Sequence, residues 1–150
     1  MSPEENIQLV KRWFQEVWNE GRMETVHELL SPNAVVRGQT GPQEEIHGPA
    51  QFLAFVESIR SAFPDIHITI EDAVGAADKV VVRWAGTMTH KGSGLGIPAS
   101  GKKVHLTGIT IGRIVDGKIV EGWDNWDRLA MLEQIGAYRQ PETLMLAKSA

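Results

Sequence analysis

The segment from Glu121 to Asp127 combines carboxylates with two tryptophans where a predicted strand meets a predicted helix. A carboxylate among indole rings is partly desolvated, and desolvation raises its pKa toward the range in which it can act as a base. Such a group can remove a proton next to a carbonyl. Asp127, near Trp123 and Trp126, is the first candidate for this acid/base role. Because Asp127 also opens the last predicted helix, and Asp is a favoured N-cap, plain capping is the alternative interpretation.

The geometry of the preceding hairpin decides which side chains join Asp127. Asp116-Gly117 is a strong hairpin signal, and a bulged loop over residues 115–117 places His105 opposite Asp127. A two-residue turn would separate these two side chains, and we expect the bulged loop. One face of the two strands then carries a set that could form a wall of a site: Glu121, Trp123, Asn125 and Asp127 with His105, Thr107, Ile109, Ile111 and Arg113.

Each neighbour of Asp127 in this set has two interpretations. His105 either shares the proton and orients the catalytic carboxylate, or is a solvated strand histidine. Asn125 either donates to an enolate oxygen or pins the end of the strand. Trp123 is a cavity wall or a core side chain. Glu121 is a second cavity acid or the partner of Arg113, and the ion pair is favoured because a buried charge needs pairing.

Two further polar residues lie outside the hairpin. Arg83 interrupts a Val-rich strand, where it either meets solvent or a carboxylate or holds a carbonyl or carboxylate of a substrate. His90 precedes a glycine-rich loop, residues 91–101, and is a candidate for the mouth of a cavity. That loop does not lie between a strand and a helix as a dinucleotide loop does, and no His-Glu-x-x-His metal pattern occurs. We therefore expect neither a metal nor a cofactor.

Three predicted helices precede most of the strands. A capping box over residues 2–5 begins the first helix, which ends at Gly21. A shorter helix ends before Pro32, and a short strand covers residues 34–36. The third helix runs from Gly48-Pro49 toward Pro64.

The second half of the chain has strand character. Alternating apolar residues predict a four-stranded antiparallel meander and a closing helix from Asp127 to Gly136. A curved sheet wrapped on helices is an α+β fold, a cone whose mouth is a usual place for a pocket. We predict that residues 1–136 form one domain and that residues 137–150 are a tail or an arm on a partner subunit.

Composition narrows the classes of function. The chain has 150 residues, no cysteine and a formal net charge of −4, which favours one globular domain without disulfides. With no basic cluster, nucleic acid is not expected as a partner. No apolar run approaches the roughly 20 residues of a membrane span, and the acidic N-terminus lacks a signal-peptide core. We expect a cytoplasmic protein that binds no membrane.

A series of motifs from roughly residue 7 to residue 136 resembles the SnoaL-like polyketide cyclase (ester cyclase) family. They occur in the family's order: Val17-Trp18-Asn19-Glu20-Gly21, Phe63-Pro64-Asp65, Val82-Arg83-Trp84, Thr89-His90-Lys91-Gly92, Gly96-Ile97-Pro98, Asp116-Gly117-Lys118-Ile119-Val120-Glu121, Trp123-Asp124-Asn125-Trp126-Asp127 and Leu132-Glu133-Gln134-Ile135-Gly136.

The resemblance implies a cystatin-like, cone-shaped α+β barrel of the kind shared with ketosteroid isomerase and scytalone dehydratase. It implies intramolecular aldol condensation or related enolate chemistry on a small hydrophobic carbonyl or ester compound, with one Asp as acid/base and without metal or cofactor. Asp127 matches that position best. It also implies a homodimer or higher homo-oligomer, which we expect to form through a sheet face made flat by Gly108, Thr110 and Gly112.

Two other functions stay open. Epoxide hydrolysis or dehydration in the same cone typically needs an Asp-Arg-Asp set, of which Arg83 and Asp127 supply only part. A non-catalytic dimeric domain that binds a small ligand is the other, and in it Asp127 only caps a helix. An enzyme should lose turnover but not ligand binding on Asp127→Asn, whereas a binder has no turnover to lose.

Overall fold

The computed structural model describes residues 1–139 and 141; the rest of the predicted tail lies outside them. In this part of the chain, four helices pack against a curved six-stranded sheet, which is the predicted α+β fold. The helices are α1 (Pro3–Trp13), α2 (Met23–Leu29), α3 (Gly48–Ala62) and α4 (Arg128–Gln134). The strands are β1 (Leu30–Arg37), β2 (Glu45–His47), β3 (His67–Ala76), β4 (Lys79–Thr89), β5 (Lys103–Val115) and β6 (Lys118–Trp126).

The first helix begins at the predicted capping box. The Glu5 N–H donates to Ser2 Oγ at 3.1 Å, and the Ser2 N–H donates to a Glu5 carboxylate oxygen at 2.8 Å. After α1 the helix continues as a π-helical segment, Phe14–Asn19. Asn19 then fastens this segment to the sheet, because its side chain both accepts from Ile68 N and donates to Ile68 O, at 2.6 and 2.9 Å.

The sheet has the strand order β2-β1-β6-β5-β4-β3. The predicted meander of β3 to β6 is confirmed, with antiparallel pairing throughout. The pairing of β1 was not predicted: it lies parallel to β6, and β2 pairs antiparallel with its other edge. Strand β6 is therefore hydrogen-bonded on both sides, which holds its inward-facing side chains in fixed positions.

The turn between β5 and β6 differs from the predicted bulged loop. Val115 pairs with Lys118, so the turn consists of Asp116 and Gly117 alone. Both have positive φ, 50° and 74°, as a type I′ turn requires. The predicted loop over residues 115–117 is therefore wrong.

A bulge on β6 restores the side-chain parity that this turn alone would reverse. Val120 is the extra residue, because Glu121 pairs with Arg113 and Ile119 pairs with Ile114, the next residue of β5. The predicted polar set of the two strands therefore does share one face of the sheet. The pairing is nevertheless displaced by two residues: the Asp127 N–H donates to Thr107 O at 3.2 Å, and Asp127 does not lie opposite His105.

Burial alternates along β5 and shows which face points inward. The even-numbered positions between 104 and 114 are buried or half-buried, whereas His105 and its odd-numbered neighbours in the first half of the strand are exposed. The predicted polar set thus lies on the outer face. The predicted flat outer surface is wrong, because its small residues lie on the inner face: Gly108, Thr110 and Gly112.

Helix α4 closes the described part of the fold. Met131 and Ile135 are buried in the core, and the chain leaves the helix at Gly136, where φ is +82°, as predicted. Within residues 1–139 and 141, no helix is long and apolar enough to cross a membrane.

Candidate active site

A cavity of about 90 Å³ lies between the helices and the inner face of the sheet. Aromatic rings form much of its wall, and they pack tilted or edge to face, as Trp13 and Phe52 do with ring centres 5.2 Å apart. Apart from the indoles, the polar side chains among the described residues that line it are Gln39, Thr110 and Asp124. An apolar space with a few converging polar groups is the usual form of a small-molecule site.

Asp124, on the inner face of β6, is the ionisable residue among the described side chains that line this cavity. Its side chain is almost completely buried, and burial raises the pKa of the Asp124 carboxyl to about 7. Hydrogen bonds from Thr110 and Gln39 act in the opposite direction, since they stabilise the carboxylate, but the loss of hydration is the larger effect. Near neutral pH both protonation states are populated, which is the condition for a group that takes up and returns a proton.

A short chain of hydrogen bonds holds one oxygen of this carboxyl group. Thr110 lies directly opposite Asp124 in the β5–β6 ladder, and its hydroxyl donates to Asp124 Oδ1 at 2.6 Å. The Trp84 indole N–H donates to the same hydroxyl oxygen at 3.0 Å. The indole reaches it by crossing Gly108, where a Cβ would lie 2.3 Å from the ring.

Gln39 is brought to the cavity by the segment that follows β1. At Gly38, φ is +89° and a Cβ would lie 2.0 Å from the Asp124 carbonyl oxygen, so only glycine permits this close approach. The Trp126 indole N–H donates to Gln39 O at 3.1 Å and holds the segment against β6. As a result, the side chain of Gln39 forms a hydrogen bond with Asp124 inside the cavity.

Comparison with known proteins agrees with this architecture. Residues 8–135 match the model of the SnoaL-like polyketide cyclase family. The chain belongs to that family. It is 32% identical over 145 residues to aklanonic acid methyl ester cyclase DauD of Streptomyces sp. strain C5, an alignment that covers 91% of this chain and 83% of DauD.

Solved structures of similar proteins have the same fold as this SnoaL-like chain. AclR of Streptomyces galilaeus superimposes with a TM-score of 0.82 at 26% identity, covering 99% of this chain and 92% of AclR. TsrD of Streptomyces laurentii superimposes with a TM-score of 0.79 at 29% identity, covering 92% of this chain and 99% of TsrD. The predicted family and the predicted cone-shaped fold are both confirmed.

In this SnoaL-like fold, Asp127 does not reach the cavity. Its side chain is exposed and accepts a hydrogen bond from Ala130 N at 3.0 Å, as the N-cap of α4. Trp123 points to the outer face, so the two predicted indoles do not enclose the carboxylate. The predicted desolvation of Asp127 is therefore wrong, and the capping interpretation is confirmed.

His105 and Asn125 also lie on the outer side of the sheet. Both are exposed, and Asn125 pairs with the exposed residue Ile109. The backbone of His105 is bonded at both its N–H and its C=O by the Gln134 side chain, at 2.8 and 2.9 Å. Neither side chain is in a position to act on a ligand in the cavity, so the predicted proton sharing and enolate contact are wrong.

Trp123 and Glu121 belong to a network of charges on the outer face. Trp123 lies between Arg37 and Lys79, whose charged groups are 5.7 and 5.6 Å from its ring centre. Glu121 accepts from Arg113 Nε at 2.8 Å and from Arg37 at 3.1 Å. These bonds, with Arg113 first, hold the pKa of the Glu121 carboxyl below its usual range. The favoured Arg113 pair is confirmed, whereas Trp123 as a cavity wall is wrong.

Arg83 and His90 have structural partners outside the cavity. Arg83 projects from the outer face and pairs with Glu71 at 3.1 Å. His90 is fully buried against the Phe63 ring, and its Nδ1 accepts from the Ser100 N–H at 3.1 Å. It anchors the end of the 91–101 loop and is not part of the cavity wall, so the predicted place at the mouth is wrong.

The sequence carries one signal for the position of Asp124, which is separate from the clustering of polar side chains. On β5 the charged residues Lys103 and Arg113 are odd-numbered, which favours the even-numbered face as the core, whereas the aliphatic residues are divided equally between the two faces. If odd-numbered residues of β5 lie opposite odd-numbered residues of β6, even-numbered residues also lie opposite each other. Such a pairing places Asp124 on the same face as the even-numbered residues of β5. Within the described residues, no group of three or more His, Cys, Asp or Glu side chains could hold a metal ion.

Proposed function

We propose that this chain is a cofactor-free acid/base enzyme that performs intramolecular aldol condensation, or closely related enolate chemistry, on a small apolar carbonyl or ester compound. The observation that carries the proposal is the Asp124 carboxyl, buried in an aromatic cavity with its pKa raised to about 7. The similarity to an aklanonic acid methyl ester cyclase supports the same class of reaction.

The chemistry follows from the polar groups of the cavity. Ionised Asp124 removes a proton from the carbon next to a substrate carbonyl, and the enolate formed attacks a second carbonyl of the same molecule. Protonated Asp124 can then return its proton to the new alkoxide. Gln39, beside Asp124, offers a side-chain N–H to the developing negative charge, and the aromatic walls exclude water from the reactive carbanion.

The hydrolase alternative has less support. An Asp-Arg-Asp water site would need an arginine in the cavity, and none of the described lining residues is an arginine. Arg83, the candidate for that role, pairs with Glu71 on the opposite face of the sheet.

The test needs no knowledge of the natural substrate. Small enolisable β-keto esters are incubated with the protein in D₂O, and loss of the α-proton signal is followed by NMR. Wild type should accelerate exchange over buffer, and Asp124→Asn should lower the enzymatic rate by about 10²–10⁴-fold, the usual contribution of an acid/base group.

Asp127→Asn is the matched control, since it removes a carboxylate three residues away that does not line the cavity. It should keep the wild-type exchange rate. An Asp124→Asn variant as fast as wild type would refute the proposal. If ligand binding is retained by all three proteins and none exchanges faster than buffer, the chain is a binding module.

A further inference from the structure

The hydroxyl of Thr110 has both a fixed donor and a fixed acceptor. It accepts from Trp84 Nε1 at 3.0 Å and donates to Asp124 Oδ1 at 2.6 Å. A threonine hydroxyl has one proton and rotates freely unless a partner restrains it. Because the indole N–H can only donate, it occupies a lone pair of the Thr110 oxygen and leaves the hydroxyl proton directed at the carboxyl group.

We propose that Trp84 and Thr110 are positioning residues that hold Asp124 Oδ1 as a permanent hydrogen-bond acceptor and reserve Oδ2 for proton exchange with the substrate. This assignment of the two oxygens rests on the proposed function. The chain of hydrogen bonds from Trp84 through Thr110 to Asp124, which we call the relay, does not rest on the proposed function. It can be measured in the free protein.

The surroundings of Asp124 make this relay the main polar influence on it. None of the other described residues that line the cavity has an ionisable side chain: the polar ones are Gln39 and Thr110, with the indoles. A hydrogen bond donated to a carboxylate is charge-assisted and stronger than a neutral one. It stabilises the ionised form and so lowers the pKa of Asp124, against the upward effect of burial.

The fold also fixes the positions of the residues that form the relay. Trp84 is almost completely buried and reaches Thr110 only because Gly108 has no side chain in its path. Thr110 and Asp124 are direct partners in the β5–β6 ladder, so the 2.6 Å contact is held by the backbone register.

The test is a pH titration of Asp124 by NMR of its ¹³C-labelled side-chain carboxyl, without substrate. Thr110→Val removes the donor with little change in shape, and the acid dissociation constant of Asp124 should become about tenfold smaller. Thr110→Ser keeps a hydroxyl and should restore the wild-type titration. Thr107→Val, a substitution at an exposed position of the same strand, is the control and should leave the titration unchanged.

The contribution of Trp84 is measured in a double-mutant cycle. Trp84→Phe alone should shift the titration in the same direction as Thr110→Val but by less, because the hydroxyl then rotates between partners. In the Thr110→Val background it should cause no further shift. An unchanged titration in Thr110→Val, or equal effects of Trp84→Phe in both backgrounds, would overturn the relay.

These outcomes separate the relay from the proposed function. If Thr110→Val does not fold by circular dichroism, Thr110→Ser and Trp84→Phe decide the relay: Trp84→Phe should shift the titration and Thr110→Ser should not. If the titrations behave as expected but Asp124→Asn keeps full proton exchange on β-keto esters, the relay stands and the proposed function fails.

Discussion

Asp124 and Asp127 are three residues apart, yet their carboxyl groups have opposite surroundings. Asp124 lies on the inner face of β6 in an aromatic cavity, where the lost hydration favours its neutral form. Asp127 lies just beyond the strand, where its exposed side chain accepts from the first turn of α4. The same functional group is therefore the proposed acid/base at one position and a helix cap at the other.

The raised pKa of Asp124 should make the free energy of unfolding fall as the pH rises. An unfolded Asp titrates near pH 4, whereas burial raises the pKa in the folded protein to about 7. Between these values the folded state binds more protons at Asp124, so the contribution of this residue to stability is greatest near and below pH 4 and is lost as the pH rises to about 7. The full difference amounts to at most about 4 kcal/mol.

Urea unfolding of wild type and Asp124→Asn at pH 5 and pH 8, at one protein concentration, measures this effect. Shared carboxylates with lowered pKa values, such as Glu16 and Glu28, cancel in the comparison. Relative to the variant, wild type should be less stable at pH 8 than at pH 5. A stability difference that is the same at both pH values would contradict a raised pKa for Asp124.

Removal of the Asp127 carboxylate should lower the melting temperature without changing the chemistry. Asp127→Ala leaves the Ala130 N–H without its intramolecular acceptor, and loss of such a cap typically lowers the melting temperature of a domain of this size by about 2–4 °C. Differential scanning calorimetry measures it. An unchanged melting temperature would mean that the cap contributes nothing to stability.

At the scale of elements, the site depends on the approach of the segment after β1 to β6. The parallel pairing of these strands brings Gly38 against the Asp124 backbone and places Gln39 in the cavity. The Trp126 indole holds this segment in place. A change in the backbone at Gly38 should therefore displace the backbone of Asp124, although residue 38 has no side chain of its own.

Gly38→Ala should be more damaging than Gly101→Ala. Both glycines have positive φ, +89° and +71°, but a Cβ at Gly101 meets no atom within 4 Å. Gly101→Ala therefore carries only the left-handed strain, about 1–2 kcal/mol, whereas Gly38→Ala adds a clash with backbone worth about 1–3 kcal/mol more. Urea unfolding compares them, and equal losses of stability would show that the close approach at Gly38 is not tight.

At the scale of the whole molecule, the outer face of the sheet has an apolar row across four strands. The ladder aligns Val74, Val81, Ile111 and Trp123 side by side. Val74 and Val81 are exposed, and Arg37 and Lys79 flank the row at Trp123. Apolar side chains aligned in this way favour contact with another surface.

We propose that the chain forms a homodimer through this row. Multi-angle light scattering at micromolar concentration should give twice the mass of the chain for wild type and a smaller mass for Val81→Glu, because a charge would then be buried at the interface. Leu129→Glu replaces an exposed apolar residue on α4 and should remain dimeric. A monomeric wild type would exclude the dimer.

Much of the fold could be predicted from the sequence because its signals are local. The capping box at Ser2, the strand alternation of β3 to β6 and the turn at Asp116-Gly117 depend on residues close together in the chain. The family motifs also predict the cone-shaped barrel, because they occur in the family's order over most of the chain. These signals are sufficient to predict the α+β class, the meander and a cavity-forming fold.

The parity of the strands puts Asp124 and the polar set on opposite faces, and the tertiary structure decided which of these faces lines the cavity. The bulge at Val120 and the pairing of β1 with β6 arise from contacts between distant segments, and together with burial they set the polar face outward. Clustered polar side chains mark that solvated face, because charged groups gather where water reaches them. Asp124 stands out only once the helices cover the inner face, since desolvation is a property of the packed molecule.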